Sequence, residues 1–233
     1  MRAIVIGTTL LCATALFADT AQERLADSAA VFSEIMRTPD KGIPQDLLEK
    51  AQCVVVIPGL KKAAFVVGAQ YGRGFAECRR ENGRGWGPPA AVRMEGGSVG
   101  FQIGGSSTDV VLLVMNERGM RRLLEDKFTL GADASAAAGP VGRTANASTD
   151  IQLTAEILAW SRAKGLFAGI SLNGATLRND LDVNAELYGH KMNNREVLSS
   201  DMQAPEAAHR LIAELDRYSM RKEGSGADRV KDR

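Results

Sequence analysis

Histidine is nearly missing from this sequence, cysteine is rare and aromatic residues are few. There are two histidines, three cysteines and 5% aromatics in 233 residues. His190 and His209 both fall in polar stretches, and neither stands at zinc-ligand spacing from a cysteine. No G-x-S-x-G string precedes a candidate Asp and His, which removes the familiar hydrolase elbow. The glycine-rich string Gly139-Pro140-Val141-Gly142-Arg143 invites a phosphate-cradle reading. It lacks a following Lys-Ser or Lys-Thr, so a P-loop fails. Asp109, Asp133 and Asp150 remain as acids without a paired base, and a lone acid in a glycine-rich turn is ordinarily a turn former. The expectation is a protein that is not an enzyme and uses no cofactor and no metal.

Long apolar runs are also missing after the first eighteen residues. The longest later run, residues 110–115, has the length of a buried strand and falls far short of the ~18–20 residues that span a bilayer. The beginning differs. Arg2 supplies a positive tip, residues 3–17 are apolar or small, and Ala18 precedes the polar residues 19–22. That pattern is a secretory signal peptide, so residues 1–18 are expected to be removed and the protein to be periplasmic or secreted. Cleavage after Ala18 leaves Leu16 at the third position back, whereas cleavage after Ala15 fits the small-x-small pattern better; the site stays open. Leu11 before Cys12 is too large for a bacterial lipoprotein signal.

Removing the signal leaves 28 basic against 28 acidic residues. A neutral chain is not a nucleic-acid binder by bulk charge. It also removes Cys12, leaving Cys53 and Cys78. In an exported chain such a pair permits a disulfide, while two small buried apolar side chains explain it equally well.

What is present is a succession of short periodic segments. Thr20 and Glu23 have capping-box spacing, and Leu25, Ala29, Phe32 and Met36, with Ile35 beside them, make one apolar stripe of a helix that Pro39 stops. Pro44 opens a short second helix through Lys50. Residues 53–57 read as a buried strand ended by Pro58-Gly59, and extended character continues through 63–78, 90–94, 99–103 and 110–115. Residues 116–126 read as a helix. Two more strands are expected within 128–141 and 150–160, and another alternating stretch covers 166–172. Helices return at 184–188 and 204–218, the latter with Ala208, Leu211, Leu215 and Tyr218 on one stripe.

The fold class expected is α+β, a mostly antiparallel, glycine-rich, curled sheet flanked by N-terminal and C-terminal helices. It forms one domain over residues 19–220, with a frayed tail at 221–233. Gly96-Gly97 and Gly104-Gly105 point to tight bends or close backbone approach.

Two features bear on binding. Lys61, Lys62, Arg73, Arg79, Arg80 and Arg84 crowd a short section of apolar strands and turns. On one rim they would attract anionic headgroups at about 1 kcal/mol each; otherwise they are a solvated rim partly neutralised by Glu77 and Glu81. The first helix is amphipathic enough to lie in a membrane interface or to pack on the sheet.

Seven strings, in order, resemble the SYLF domain family of lipid-binding and actin-regulating modules. They are Val56-Ile57-Pro58-Gly59-Leu60-Lys61-Lys62-Ala63, Tyr71-Gly72-Arg73-Gly74, Gly85-Trp86-Gly87-Pro88-Pro89-Ala90 and Gly104-Gly105-Ser106-Ser107-Thr108-Asp109. The series continues with Leu130-Gly131-Ala132-Asp133-Ala134-Ser135 running to Arg143, then Gly165-Leu166-Phe167-Ala168-Gly169-Ile170-Ser171-Leu172, and closes on Tyr188-Gly189. The resemblance spans residues 25–190. It implies binding of membrane phospholipid, phosphoinositides in eukaryotic members, with an N-terminal amphipathic helix at the membrane and actin filaments as a partner of some members. The resemblance places Leu25, Phe32, Ile35 and Met36 against lipid alongside Lys61, Lys62, Arg73, Arg79 and Arg80. This chain departs from the eukaryotic pattern in carrying an export signal and no SH3 or FYVE module. An exported protein meets neither actin nor abundant phosphoinositide, so anionic phospholipid is the expected ligand and an envelope protein the alternative partner.

Overall fold

The computed structural model describes residues 19–38, 42–65, 67–80, 85–99, 104–141, 155–163 and 166–219. The expected signal, the tail at 221–233, Arg84, Asp150 and the alternation at Phe101 and Ile103 lie outside these residues.

Helix α1 (Ala21–Arg37) starts where the spacing of Thr20 and Glu23 places it. Thr20 Oγ1 accepts from the Glu23 amide at 3.2 Å, and the Glu23 carboxylate accepts from the Thr20 amide at 2.9 Å. Its stripe of Leu25, Ala29, Phe32 and Ile35 is buried. Helix α2 (Gln45–Lys50) follows Pro44.

The sheet then forms from β1 (Cys53–Phe65), β2 (Val67–Cys78), β3 (Ala90–Val99) and β4 (Gly104–Val114). After α3 (Glu117–Leu123) come β5 (Lys127–Thr129), β6 (Ala136–Ala138), β7 (Ile157–Ala163), β8 (Leu166–Gly169) and β9 (Thr176–Asn179). Three helices complete the described chain: α4 (Leu181–Tyr188), α5 (Asn194–Leu198) and α6 (His209–Ser219), the last entered through a 3₁₀ turn at Glu206–Ala208. The strand order is β5-β9-β3-β2-β1-β4-β7-β6, with β8 also on β7. β6 runs parallel to β7, and every other pairing between these strands is antiparallel. The result is an α+β fold, a curled half-barrel with helices at both ends of the chain.

The expected stop at Pro58-Gly59 is a bulge instead, and β1 continues to Phe65. The registers with β2 and β4 shift across it. Proline has no amide to give a ladder and is tolerated at a bulge, and Gly59 takes a left-handed φ of 60° that a side chain would oppose. The Gly59 amide donates to Asp109 Oδ1 at 2.8 Å. Close approach is sharpest at Gly74, where a Cβ would collide with the Val56 carbonyl; of the glycine pairs, Gly96 is also tight, against the Gln70 side chain and the Ala175 backbone.

Each face of the sheet has its own core. Outside, Val54, Val56, Phe75, Val111, Leu113 and Trp160 pack against α1, α2 and α6. Inside the curl, Val55, Ile57, Leu60, Met94, Leu112 and Leu177 pack together with Leu123, Phe128 and Leu130. Both faces buried explains why residues 53–57 and 110–114 read as unbroken apolar runs.

Cys53 and Cys78 are registered partners on β1 and β2 and are joined by a disulfide. Both sulfur-bearing residues belong to the inner core.

Candidate functional site

Consecutive strand residues point to opposite faces, and registered partners share a face. Those two rules distribute the basic residues. Lys61 pairs with Tyr71 and Ser107 on the outer face, beyond the end of the helical cover. Lys62 therefore points the other way. Arg73 shares the outer face with Tyr71, and its Nε donates to Tyr71 Oη at 2.8 Å and lies 3.0 Å from Asp180 Oδ2.

Arg79 and Arg80 lie at the opposite end of β2, roughly 25 Å from Lys61 by strand rise. Their work there is structural. Arg79 donates to the carbonyls of Ala51 (3.0 Å), Leu48 (3.1 Å), Glu49 (3.3 Å) and Ser219 (3.2 Å), and its guanidinium lies 4.5 Å from the Trp86 ring centroid. It thereby caps the ends of α2 and α6 at once. Arg80 donates to the Trp86 carbonyl at 3.2 Å. Of the five described basic residues singled out from sequence, the fold brings only Lys61 and Arg73 onto one exposed face.

Glu77 does not belong to a rim. It is buried on the outer face beneath α6, and neither carboxylate oxygen has a hydrogen-bond partner among the described residues. Burial first, and then the neighbouring Asp216, push its carboxyl well above the usual range. Asp216 is raised too, by burial, against the opposing pull of Arg79 and Arg80.

The apolar stripe of α1 is likewise committed. Leu25, Phe32 and Ile35 lie in the outer core, with Met36 half-buried against it and the Phe32 ring edge-on to Tyr218 at 6.3 Å. Polar contacts fasten the helix at both ends. The Ala21 amide donates to Glu186 Oε1 at 2.9 Å, and Glu34 is paired with Arg162. Arg162 in turn donates to Asp109 Oδ2 at 2.7 Å. A chain of contacts thus runs from the Gly59 bulge through Asp109 and Arg162 to α1. Asp133 accepts from the Thr129 amide at 2.7 Å, the turn role its setting implied. Two of the three candidate acids therefore serve the fold, and Asp150 lies outside the described residues.

Sequence reasoning missed the densest charge on the outer face. Arg73 is registered with Arg93, Arg93 with Arg178, and Arg178 with Lys127, so one row of four cations crosses β2, β3, β9 and β5. Glu95 lies between the middle two, 3.0 Å from Arg93 Nε and 3.2 Å from Arg178 Nε. Beside the row a cleft of about 480 Å³ opens between the sheet and residues 191–196, with Arg93, Lys127, Arg178 and Lys191 among its walls. Lys191 pairs with Asp182 at 3.0 Å, and this hydrogen bond and charge hold the Asp182 carboxyl below its usual range, with Arg73 and Arg93 adding to the effect. The four cleft cations are spread over almost a hundred positions; strand register assembles Arg93, Arg178 and Lys127, and the segment before α5 adds Lys191.

Comparison with known proteins places this architecture. A family model described as "Ysc84: Las17-binding protein actin regulator" matches residues 95–218. The chain is 34% identical over 183 residues to the SH3 domain-containing YSC84-like protein 1 of Xenopus laevis, covering 78% of this chain and 54% of that one. It is 32% identical over 180 residues to Protein YSC84 of Saccharomyces cerevisiae, covering 76% and 38%. The Homo sapiens YSC84-like protein 1 is 30% identical over 198 residues, covering 84% and 57%. This chain spans about half the length of the curated relatives it matches, or less.

Proposed function

The chain belongs to the Ysc84 (SYLF) family, and from that premise we propose that it is an exported, non-catalytic protein that binds anionic phospholipid through the cationic part of the outer face of its sheet. The observation that carries the reading is the cationic row of Arg73, Arg93, Arg178 and Lys127, with exposed Lys61 beside it, on the part of the outer face that lies away from α1, α2 and α6. Such a face adsorbs to anionic headgroups by charge, while Tyr71, 46% exposed, offers an amphipathic ring at the interface. Export is supported by residues 1–18, whose charge and apolar pattern are those of a signal.

The role of α1 follows from its burial. Leu25, Phe32 and Ile35 meet lipid only after the helix leaves the sheet, so charge makes first contact and helix release, when it occurs, comes second. Lys62, Arg79 and Arg80 lie off this face and contribute less than Lys61 and Arg73.

A second reading, a scaffold that binds a protein partner, is favoured by the family description and by relatives such as the LAS seventeen-binding protein 3 of Saccharomyces cerevisiae. Flotation of the purified chain with phosphatidylglycerol-containing and purely zwitterionic vesicles separates the two. Co-migration with the anionic vesicles alone is expected. Failure on every vesicle composition, together with lipid-free capture of one defined envelope protein, would replace the first reading by the second.

A further inference from the structure

We propose that the cleft walled by Arg93, Arg178, Lys127 and Lys191 is a binding site for a single phosphate group, presented by a phospholipid headgroup. The lipid source rests on the reading above; the phosphate chemistry stands on the cleft itself.

Like charges placed directly opposite on neighbouring strands oppose sheet formation. Here three of them, Arg93, Arg178 and Lys127, stand in consecutive register. Folding alone gives no reason for such a row. Neutralisation within the protein is incomplete: Arg93 and Arg178 share the one Glu95 carboxylate. Their Nε atoms are buried and make no hydrogen bond among the described residues, so the contacts with Glu95 are charge pairs without hydrogen-bond direction. The Lys127 side chain has no hydrogen bond or ion pair among the described residues.

The two acids in the cleft wall are engaged in holding the fold. Glu196 Oε2 accepts from the Asn193 amide at 2.7 Å in a capping box, and Asp126 Oδ1 accepts from Asn179 Nδ2 at 3.2 Å. Donors therefore converge on the cleft from β3, β9 and β5, joined from the segment before α5 by Lys191, which is paired with Asp182. Two guanidinium forks with two ammonium groups match a phosphate, whose oxygens accept from several directions and favour bidentate arginine.

Size and surroundings point to a headgroup. The cleft, about 480 Å³, falls within the range of small-molecule sites. Leu181, 40% exposed, lies on its wall and offers apolar surface beside the cations. A glycerophosphate unit would place its phosphate on the arginines and its glycerol, with the start of the acyl chains, against Leu181.

The test follows the arginine side-chain Nε–Hε signals of the full chain by NMR during three titrations: inorganic phosphate, glycerol phosphate, and phosphatidylglycerol bicelles. Shifts assigned to Arg93 and Arg178 are expected in all three. Arg178→Gln is expected to weaken glycerol phosphate by about tenfold, the worth of a charged hydrogen bond. Lys127→Gln is expected to weaken it by about threefold; it removes a charge with no ion-pair partner among the described residues, so little loss of stability is expected. Lys61→Ser, on the same face outside the cleft, should leave glycerol phosphate binding unchanged while lowering vesicle adsorption. Vesicle binding that survives intact in Arg178→Gln and Lys127→Gln would overturn this site and leave the membrane reading standing. Phosphate binding at the arginines without any vesicle binding would keep the site for a soluble phosphate compound and end the membrane reading. No shift at Arg93 or Arg178 with any titrant overturns the proposal.

Discussion

Glu77 sits under α6 with no hydrogen-bond partner among the described residues, facing Asp216 from that helix and near Tyr188, whose phenol is raised by burial first and then by the Glu77 charge. Its folded-state affinity for a proton exceeds that of the unfolded chain, so the folded form holds a proton that unfolding releases. Stability is then fully present below the ordinary carboxylate range and declines as pH rises through the raised value. Glu77→Gln should remove this slope and raise stability at pH 8 by on the order of 2 kcal/mol, since a buried unpaired carboxylate is expensive. Urea denaturation of both proteins at pH 5 and pH 8 checks it; an equal loss at both pH values would contradict the account. Arg79 makes the complementary case. Arg79→Lys keeps the charge but loses the fork that reaches four carbonyls and the stacking on Trp86. A loss of about 2–4 kcal/mol is expected from bonds of this kind, measured by the same denaturation. Any loss of lipid binding in that variant should track the unfolded fraction.

At the scale of elements, local spacing carried far. The capping box at Thr20, the stripe from Leu25 to Ile35 and the run 53–57 were legible because each depends on neighbours in sequence. Strand β9 and helix α5, four and five residues long, have too few positions to show a period. The bulge at Pro58-Gly59 looked like a stop because turn residues serve both purposes. The cleft was illegible for a different reason: residues 93, 127 and 178 meet only through register, and Lys191 reaches them from a loop. Two expectations concern whole elements. Phe32→Ala should cost about 3–5 kcal/mol, as for a large side chain removed from a core, and thermal melts should show it. The disulfide closes a loop with a sequence separation of 25, worth roughly 3 kcal/mol in the chain-entropy model. Reduction after partial unfolding should lower the melting temperature, and a melt unaffected by reductant would contradict that contribution.

The whole molecule divides its outer face in two. One half is spent on α1, α2 and α6, with Phe75, Val111 and Trp160 beneath them. The other half keeps its cations and has little helical cover. Most of the strings that carry the family resemblance belong to the fold: Gly59 and Asp109 set the bulge, Trp86 is held by a 2.9 Å bond to Ser219 Oγ, and Tyr188 reaches the Pro89 carbonyl at 2.5 Å. Family membership is thus written in structural residues, and the proposed lipid face lies largely outside those strings. Its charge predicts how binding responds to conditions, because exposed charges weaken as the Debye length falls from about 10 Å at 0.1 M salt to about 3 Å at 1 M. The most direct test is the vesicle-bound fraction of the purified chain against the mole fraction of phosphatidylglycerol, at 0.1 M and 1 M salt. The account predicts a steep rise with anionic lipid at low salt and near-complete loss at high salt. Binding that ignores both lipid charge and salt, or no binding at all, would contradict it.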